Sequence, residues 1–359
     1  MVLDFAKEAL QNASTHSINF DELRAGKANI KVFGCGGAGC NAITWLFNKG
    51  ISGATIYGCN TDALHLSITK ADEKILIGKE LTRGLGCGGY PQKGREAAKE
   101  SLSDLKKATS GADMVFVLAG MGGGTGTGAA PIVAQLAKES GAVVIGVVTM
   151  PFECEKARHD KAEFGLQELT EVADTVIIID NNRLVDIAGN LPMEQAFAVA
   201  NELVSTMIKG IVETITLPSL INLDYADVSA IMKNGEVAVI GVGESDTQSR
   251  VEEAVKQALT HPLLDVDYKG ATGALIHITC GPDFKLEEFS NVGGLVTENI
   301  SPDAQVIIGA RINKDFANKV RVITIMTGVK SPYVLGRKSL QESTAATKSQ
   351  MSDLGIEVF

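Results

Sequence analysis

The chain has 359 residues, 45% of them hydrophobic and 21% charged, the balance of a soluble globular protein with room for two domains. A formal charge of -10 argues against a general nucleic-acid surface and against electrostatic attachment to anionic lipid, with a local basic patch left open. The N-terminus carries no basic-then-apolar leader and no apolar run approaches the roughly 18 residues of a membrane span, so a cytoplasmic protein is expected. Cys35, Cys40, Cys59, Cys87, Cys154 and Cys280 include no CxxC pair, and the five histidines make no HExxH pattern. Reduced buried or loop thiols are expected, and a metal held by protein side chains alone is not.

Residues 1–27 form an N-terminal arm with a short helical pattern (Phe5, Ala6, Ala9, Leu10). From Ile30 the chain alternates strand and helix: IKVFG, GCNAITWLFNKG and ATIYGCN make a βαβ unit. Its first turn places Gly34, Gly36 and Gly39 in the GxGxxG spacing of a dinucleotide site, and Asp62 stands where a ribose-binding acid belongs. An NAD enzyme is therefore one reading. Next come the strand KILIG, a glycine-rich loop over Leu81–Pro91 and a charged amphipathic helix from Gly94 to about Thr109.

The stretch DMVFVLAGMGGGTGTGAAPI, Asp113 to Ile132, is the one around which the chain is organised. A buried strand (Val115 to Leu118) breaks into glycines and threonines, then turns helical with Ile132, Val133, Leu136 and Ala137 on one face. Such a turn aims backbone N–H groups and a positive helix end at one spot, which favours phosphate. Three glycine turns, at 34–39, 84–89 and 120–128, each follow a strand or its extension. In a parallel sheet they meet at the carboxyl edge, and three loops suit a triphosphate better than a dinucleotide.

The alternation continues with AVVIGVVTMP, a helix over 157–172 and the strand DTVIIIDNN. A long helix, 193–217, has apolar residues on more than one face and is closed by Pro218, so burial between two layers is expected. Beyond it come a helix near Asp224, strand EVAVIGVG, helix 246–260, strand ALIHITCG, helix 286–300 and strands AQVIIGARI and KVRVITIMTG. The expected fold class is α/β: a Rossmann-like domain over 28–192 with a mainly parallel sheet, the central helix, then a smaller α/β domain over 218–330. Residues 331–359 are a polar tail that ends in an apolar peptide, Ile356 to Phe359.

With these motifs in order, the sequence resembles the tubulin/FtsZ superfamily, and within it the FtsZ branch of prokaryotic cell-division GTPases, most closely archaeal members. GGGTGTG at 122–128 matches the signature loop. GCGGAGCNA (34–42), NTD (60–62), TRGLGCGGYP (82–91), VVTMPF (147–152) and NLDYADV (222–228) are similar to further family motifs, and the likeness spans roughly 28–330. The resemblance implies GTP/GDP as ligand. Gly36, Gly37, Ala38 and Gly39, with Gly122, Gly123, Gly124, Thr125, Gly126 and Thr127, would cradle the phosphates. Gly86, Cys87, Gly88 and Gly89 would close over the γ-phosphate. Glu155 and Arg158 would hold the ribose and phosphate side. Asn41, Asn181 and Asn201 would read the guanine edge, and Phe197 would stack on the base. One departure stands out: family members commonly have glycine after this glutamate and four positions from Glu to Arg, whereas Lys156 follows Glu155 here and Arg158 comes after three. A solvated helix N-terminus is the other reading of these residues.

The resemblance places catalysis on Asn222, Asp224 and Asp227, reaching the nucleotide of the next subunit in a head-to-tail filament. Acids at i and i+3 share a helix face and can orient a water, with Mg²⁺ held mainly by phosphate oxygens and water. Asp224 as a helix cap and Asp227 as first-turn charge is the alternative. The implied partners are other copies of the chain and, through the tail, a membrane tether or another division protein, at a mid-cell site in the cytoplasm. A tubulin-like protein that governs cell shape instead would carry similar motifs.

Overall fold

A computed structural model describes residues 28–217, 219–221, 223–233, 236–260, 268, 270–298 and 300–329. The expected N-terminal arm, the helix-closing Pro218, Asn222 and the tail with its apolar end lie outside the described residues. Within them the strands are β1 (Ile30–Cys35), β2 (Ala54–Asn60), β3 (Glu73–Leu76), β4 (Met114–Gly120), β5 (Val143–Met150), β6 (Thr175–Asp180), β7 (Glu236–Ser245), β8 (Gly273–Cys280), β9 (Gln305–Ile312) and β10 (Val320–Thr327). They join in one sheet of ten strands, ordered β3-β2-β1-β4-β5-β6-β7-β10-β8-β9. Pairing is parallel from β3 through β7. β10 is antiparallel to both β7 and β8, and β9 is parallel to β8. The strands β1, β4, β5 and β6 are β-branched, apolar runs, and they are covered on both faces, as a parallel sheet requires.

The helices are α1 (Gly36–Lys49), α2 (Ala63–Ile68), α3 (Lys79–Thr82), α4 (Pro91–Glu100), α5 (Leu102–Thr109), α6 (Thr125–Glu139), α7 (Lys156–Val172), α8 (Asn181–Ala188), α9 (Met193–Thr216), α10 (Tyr225–Lys233), α11 (Arg250–Leu259) and α12 (Leu286–Thr297). Where one charged helix was expected over 94–109, the chain forms α4 and α5. It bends at Ser101, whose hydroxyl accepts from the Gly78 N–H at 3.1 Å. The strand expected through 182 stops at Asp180. That carboxylate accepts from the Asn182 N–H at 2.8 Å and starts α8.

The long helix α9 is buried along Leu203, Val204, Met207, Ile208, Ile211 and Val212. These side chains share one apolar cluster with Ile30, Met114 and Ile145 of the first strands and with Ile240, Leu275 and Ile323 of the last. Each such residue contributes ~1.5–3 kcal/mol of burial, so this one helix ties both halves of the sheet together. A second cluster covers the other face of the first strands under α4 to α7, and a third lies around β7 to β10, α11 and α12.

His277 on β8 is 4% exposed, and its Nδ1 has no hydrogen-bond partner. Burial, with Arg311 nearby, lowers its pKa to about 4. The folded ring therefore stays neutral while the unfolded ring takes up a proton as pH falls below about 6.5. Stability should lose on the order of 3 kcal/mol from this site between pH 6.5 and 4. Urea unfolding across that range should show the loss, and His277→Leu should flatten it.

Candidate functional site

β1 and β4 are parallel neighbours, so the helices that follow them, α1 and α6, begin side by side at the carboxyl edge of the sheet. Neither start is capped by a side chain: Cys35 and Gly124 make no such bond, and neither helix has an acid in its first turn. Two sets of amide N–H groups and two positive dipole ends thus face one place with no carboxylate neutralising them. In front of them lies a cleft of about 1090 Å³. That is at the upper end of ordinary ligand pockets and large enough for a nucleotide.

Its walls bring together Gly37, Ala38, Gly39 and Asn41 from α1, Gly123 to Gly126 from the signature loop, Glu155 and Arg158, Asn181, and Phe197 and Asn201 from α9. The expected residues Gly36, Gly122 and Thr127 stand behind this surface. Gly36 has φ +69°, and a Cβ there would lie 2.6 Å from the Gly126 nitrogen, so the two phosphate-facing turns meet backbone to backbone at this position. The Thr127 hydroxyl accepts from the Gly122 N–H at 2.9 Å and holds the turn in shape.

The loop with Gly86, Cys87, Gly88 and Gly89 does not line the cleft but packs behind it. A Cβ on Gly124 would come within 2.7 Å of the Cys87 Cβ. The Cys87 thiol donates to the Thr61 hydroxyl at 3.4 Å, which in turn shares a 2.6 Å hydrogen bond with the Thr125 hydroxyl. Lys161 donates to the Gly89 carbonyl at 2.8 Å from the other side. The loop is therefore anchored to the floor of the site at two points.

Despite the short spacing, Glu155 and Arg158 meet. The Arg158 Nη1 donates to Glu155 Oε1 at 2.6 Å, and Glu155 Oε2 accepts from the Phe152 N–H at 3.2 Å. A 3-10 turn over Glu153–Glu155 leads into α7 and lets the pair close within one turn. Phe197 packs edge-to-face against Phe152, ring centroids 5.9 Å apart, so the aromatic wall is a pair. Phe152, Thr149, Glu194, Gln195 and Trp45 also line the cleft and were missed in the sequence. Thr149 and Phe152 sit at and just after the end of β5, and the rule that ligands bind at strand carboxyl ends could have found them. Asp62, the acid of the dinucleotide reading, is occupied as the cap of α2, accepting from the His65 N–H at 2.9 Å.

Asp224 and Asp227 lie elsewhere. Their carboxylates form a reciprocal cap at the start of α10: Asp224 Oδ1 accepts from the Asp227 N–H at 2.8 Å, and Asp227 Oδ2 from the Asp224 N–H at 3.4 Å. The Tyr225 hydroxyl donates to the Asp113 carbonyl at 2.7 Å, and the Thr175 hydroxyl to the Met232 carbonyl at 2.5 Å. Asp113 and Thr175 are at the amino ends of β4 and β6, so the two acids sit at the opposite edge of the sheet from the cleft. Asp224 is exposed.

Residues 29–189 match the model of the tubulin/FtsZ family GTPase domain, and residues 236–330 match the FtsZ family C-terminal domain. The chain is 53% identical over 340 residues to cell division protein FtsZ 2 of Methanocaldococcus jannaschii, covering 94% of this chain and 89% of that protein. It is 53% identical over 313 residues to cell division protein FtsZ 1 of Archaeoglobus fulgidus, covering 87% and 85%. A solved FtsZ dimer from M. jannaschii superimposes with a TM-score of 0.81 at 51% identity, covering 86% of this chain and 90% of that one. CetZ1 from Haloferax volcanii, at 20% identity and a TM-score of 0.74, shares the fold.

Because a side chain at Gly36 would part the two phosphate-facing turns, Gly36→Val should weaken GDP binding by at least about tenfold, or ~1.4 kcal/mol. Calorimetric titration, with circular dichroism to confirm folding, checks this.

Proposed function

The chain belongs to the tubulin/FtsZ family, and from that premise we propose that it is a self-assembling GTPase that polymerises head-to-tail in prokaryotic cell division. The observation that carries the reading is the separation of the acids from the cleft. β4 spans Met114–Gly120 between Asp113 at its foot and the signature loop at its head, a rise of about 20 Å at ~3.3 Å per residue. Asp224 and Asp227 do not span that length within one subunit, so acting on a nucleotide requires a second copy to bring them to it.

The surface supports such stacking. Leu64, Leu85 and Tyr90 are largely exposed on the segments beside the carboxyl edge, and Leu220 is exposed next to the acids. Apolar groups at opposite ends suit a heterologous contact, and one that does not close gives a filament.

In the assembled site the two helix N-termini hold the phosphates, Glu155 and Arg158 flank the ribose side, and Asn41, Asn181, Asn201 and Phe197 hold the base. Gly86 to Gly89 back the γ-phosphate side through the Cys87–Thr61–Thr125 anchor rather than closing over it. Asp224 and Asp227 of the next subunit, with Asn222 beside them, orient the water for in-line attack. The cleft wall behind the phosphates offers amide donors and the Thr125 hydroxyl, and Glu155 is engaged with Arg158, which fits a hydrated Mg²⁺ carried by phosphate oxygens. That ion would offset the charge that develops on the transferred group.

Residues 28–192, 193–217 and 218–330 would serve as nucleotide domain, central helix and C-terminal domain. Among the described residues no helix is long and apolar enough to cross a membrane. Attachment at the division site would fall to the 331–359 tail, with Ile356, Val358 and Phe359 docking on a membrane tether or another division protein.

Asp224→Ala and Asp227→Ala should each bind GTP normally and lose turnover at least about 100-fold. In the wild type, phosphate release per subunit should rise above a threshold concentration together with sedimenting polymer. Turnover independent of concentration would place the whole site in one subunit and remove the acids from catalysis. Deletion of residues 354–359 should leave polymerisation intact and abolish capture by the tether; retained capture would end the docking idea.

A further inference from the structure

Asn41 faces the cleft, but a side-chain amide offers both donors and an acceptor, and which it presents decides what it can recognise. The answer is set two residues away. Asn60, at the end of β2, is 3% exposed. Its Oδ1 accepts from the Thr61 N–H at 2.9 Å and from the Asp62 N–H at 3.3 Å. Two backbone donors fix that atom as the oxygen, so the atom that faces His65 Nδ1, at 3.4 Å, is the amide nitrogen. An amide nitrogen only donates. His65 Nδ1 is therefore the accepting nitrogen, and the neutral ring carries its proton on Nε2. Nε2 lies 3.1 Å from Asn41 Oδ1 and donates to it. With its oxygen engaged, Asn41 turns its NH₂ group to the cleft.

We infer that His65 and Asn60 are positioning residues that hold Asn41 with its NH₂ group toward the cleft, as a hydrogen-bond donor to the nucleoside part of the ligand. The inference rests on the nucleotide-binding reading above and adds what orients one of its polar side chains. Purines offer ring nitrogens such as N7 as acceptors for such a donor. An Asn41 free to rotate could present its oxygen or its NH₂ group; one held by His65 presents the NH₂ group. His65 is itself placed by Asp62, whose carboxylate accepts the His65 N–H as the cap of α2.

The first test needs no nucleotide. In full-length protein with ¹⁵N-labelled histidine, the neutral His65 ring should show a protonated Nε2 and an unprotonated Nδ1; the reverse tautomer overturns the relay. The second compares GDP and inorganic pyrophosphate by calorimetric titration. His65→Leu should lower GDP affinity about tenfold, the loss of one well-made hydrogen bond. It should leave pyrophosphate binding unchanged and be partly rescued in His65→Gln, whose amide can still donate. Parallel losses for GDP and pyrophosphate would mean that His65 merely supports the fold, and unchanged GDP binding would show that Asn41 needs no partner; either result overturns the inference. Failure of the wild type to bind GDP would overturn both this role in binding and the proposed function, while the tautomer measurement would still decide the relay.

Discussion

The molecule depends on how closely its backbone can approach itself where β1 and β4 give way to α1 and α6. At that crossing Gly36 lies against Gly126, and Gly124 lies against the loop at Cys87. Any side chain would force these turns apart. With none, two uncapped helix N-termini come to rest on one point, and their summed N–H groups make a site for phosphate that needs no positively charged side chain. This suits an acidic protein: an anion there would be held by dipoles, whatever the net charge of -10 does elsewhere.

Around that crossing, each wall of the cleft is built by an element whose main work is structural. Thr127 shapes the signature turn, Thr61 and Cys87 tie the neighbouring loop to Thr125, and α9 carries Phe197 and Asn201 on its first turns while burying Met207 and Ile208 in the shared core. The helix that lines the cleft is thus the helix that joins the two halves of the sheet.

Much of the strand and helix order was legible in the sequence, since buried β-branched runs such as Val143–Met150 and amphipathic segments such as Arg250–Leu259 announce themselves by period. What escaped was decided by contacts distant in sequence. Ser101 breaks a helix because Gly78 needs an acceptor, and Asp180 starts one because its carboxylate turns back on Asn182. Within the site, the pattern of glycines could not separate those that line the cleft, such as Gly37, from those that face another strand of backbone, such as Gly36. Both need a missing side chain, and a sequence records only that it is missing. Phe152 and the His65 relay were invisible for a related reason: their roles come from a neighbour, Phe197 in one case and Asn60 in the other.

The join between β6 and β7 has a mechanical meaning. Their ladder runs only over Thr175–Ile177 and Glu236–Ala238, whereas β7 and β10 pair over Ala238–Ser245 and Val320–Thr327, eight residues each. With three paired residues across it, this seam owes more to the side chains of α9, which pack against strands on both sides, than the longer ladders do, so the helix serves as its splint.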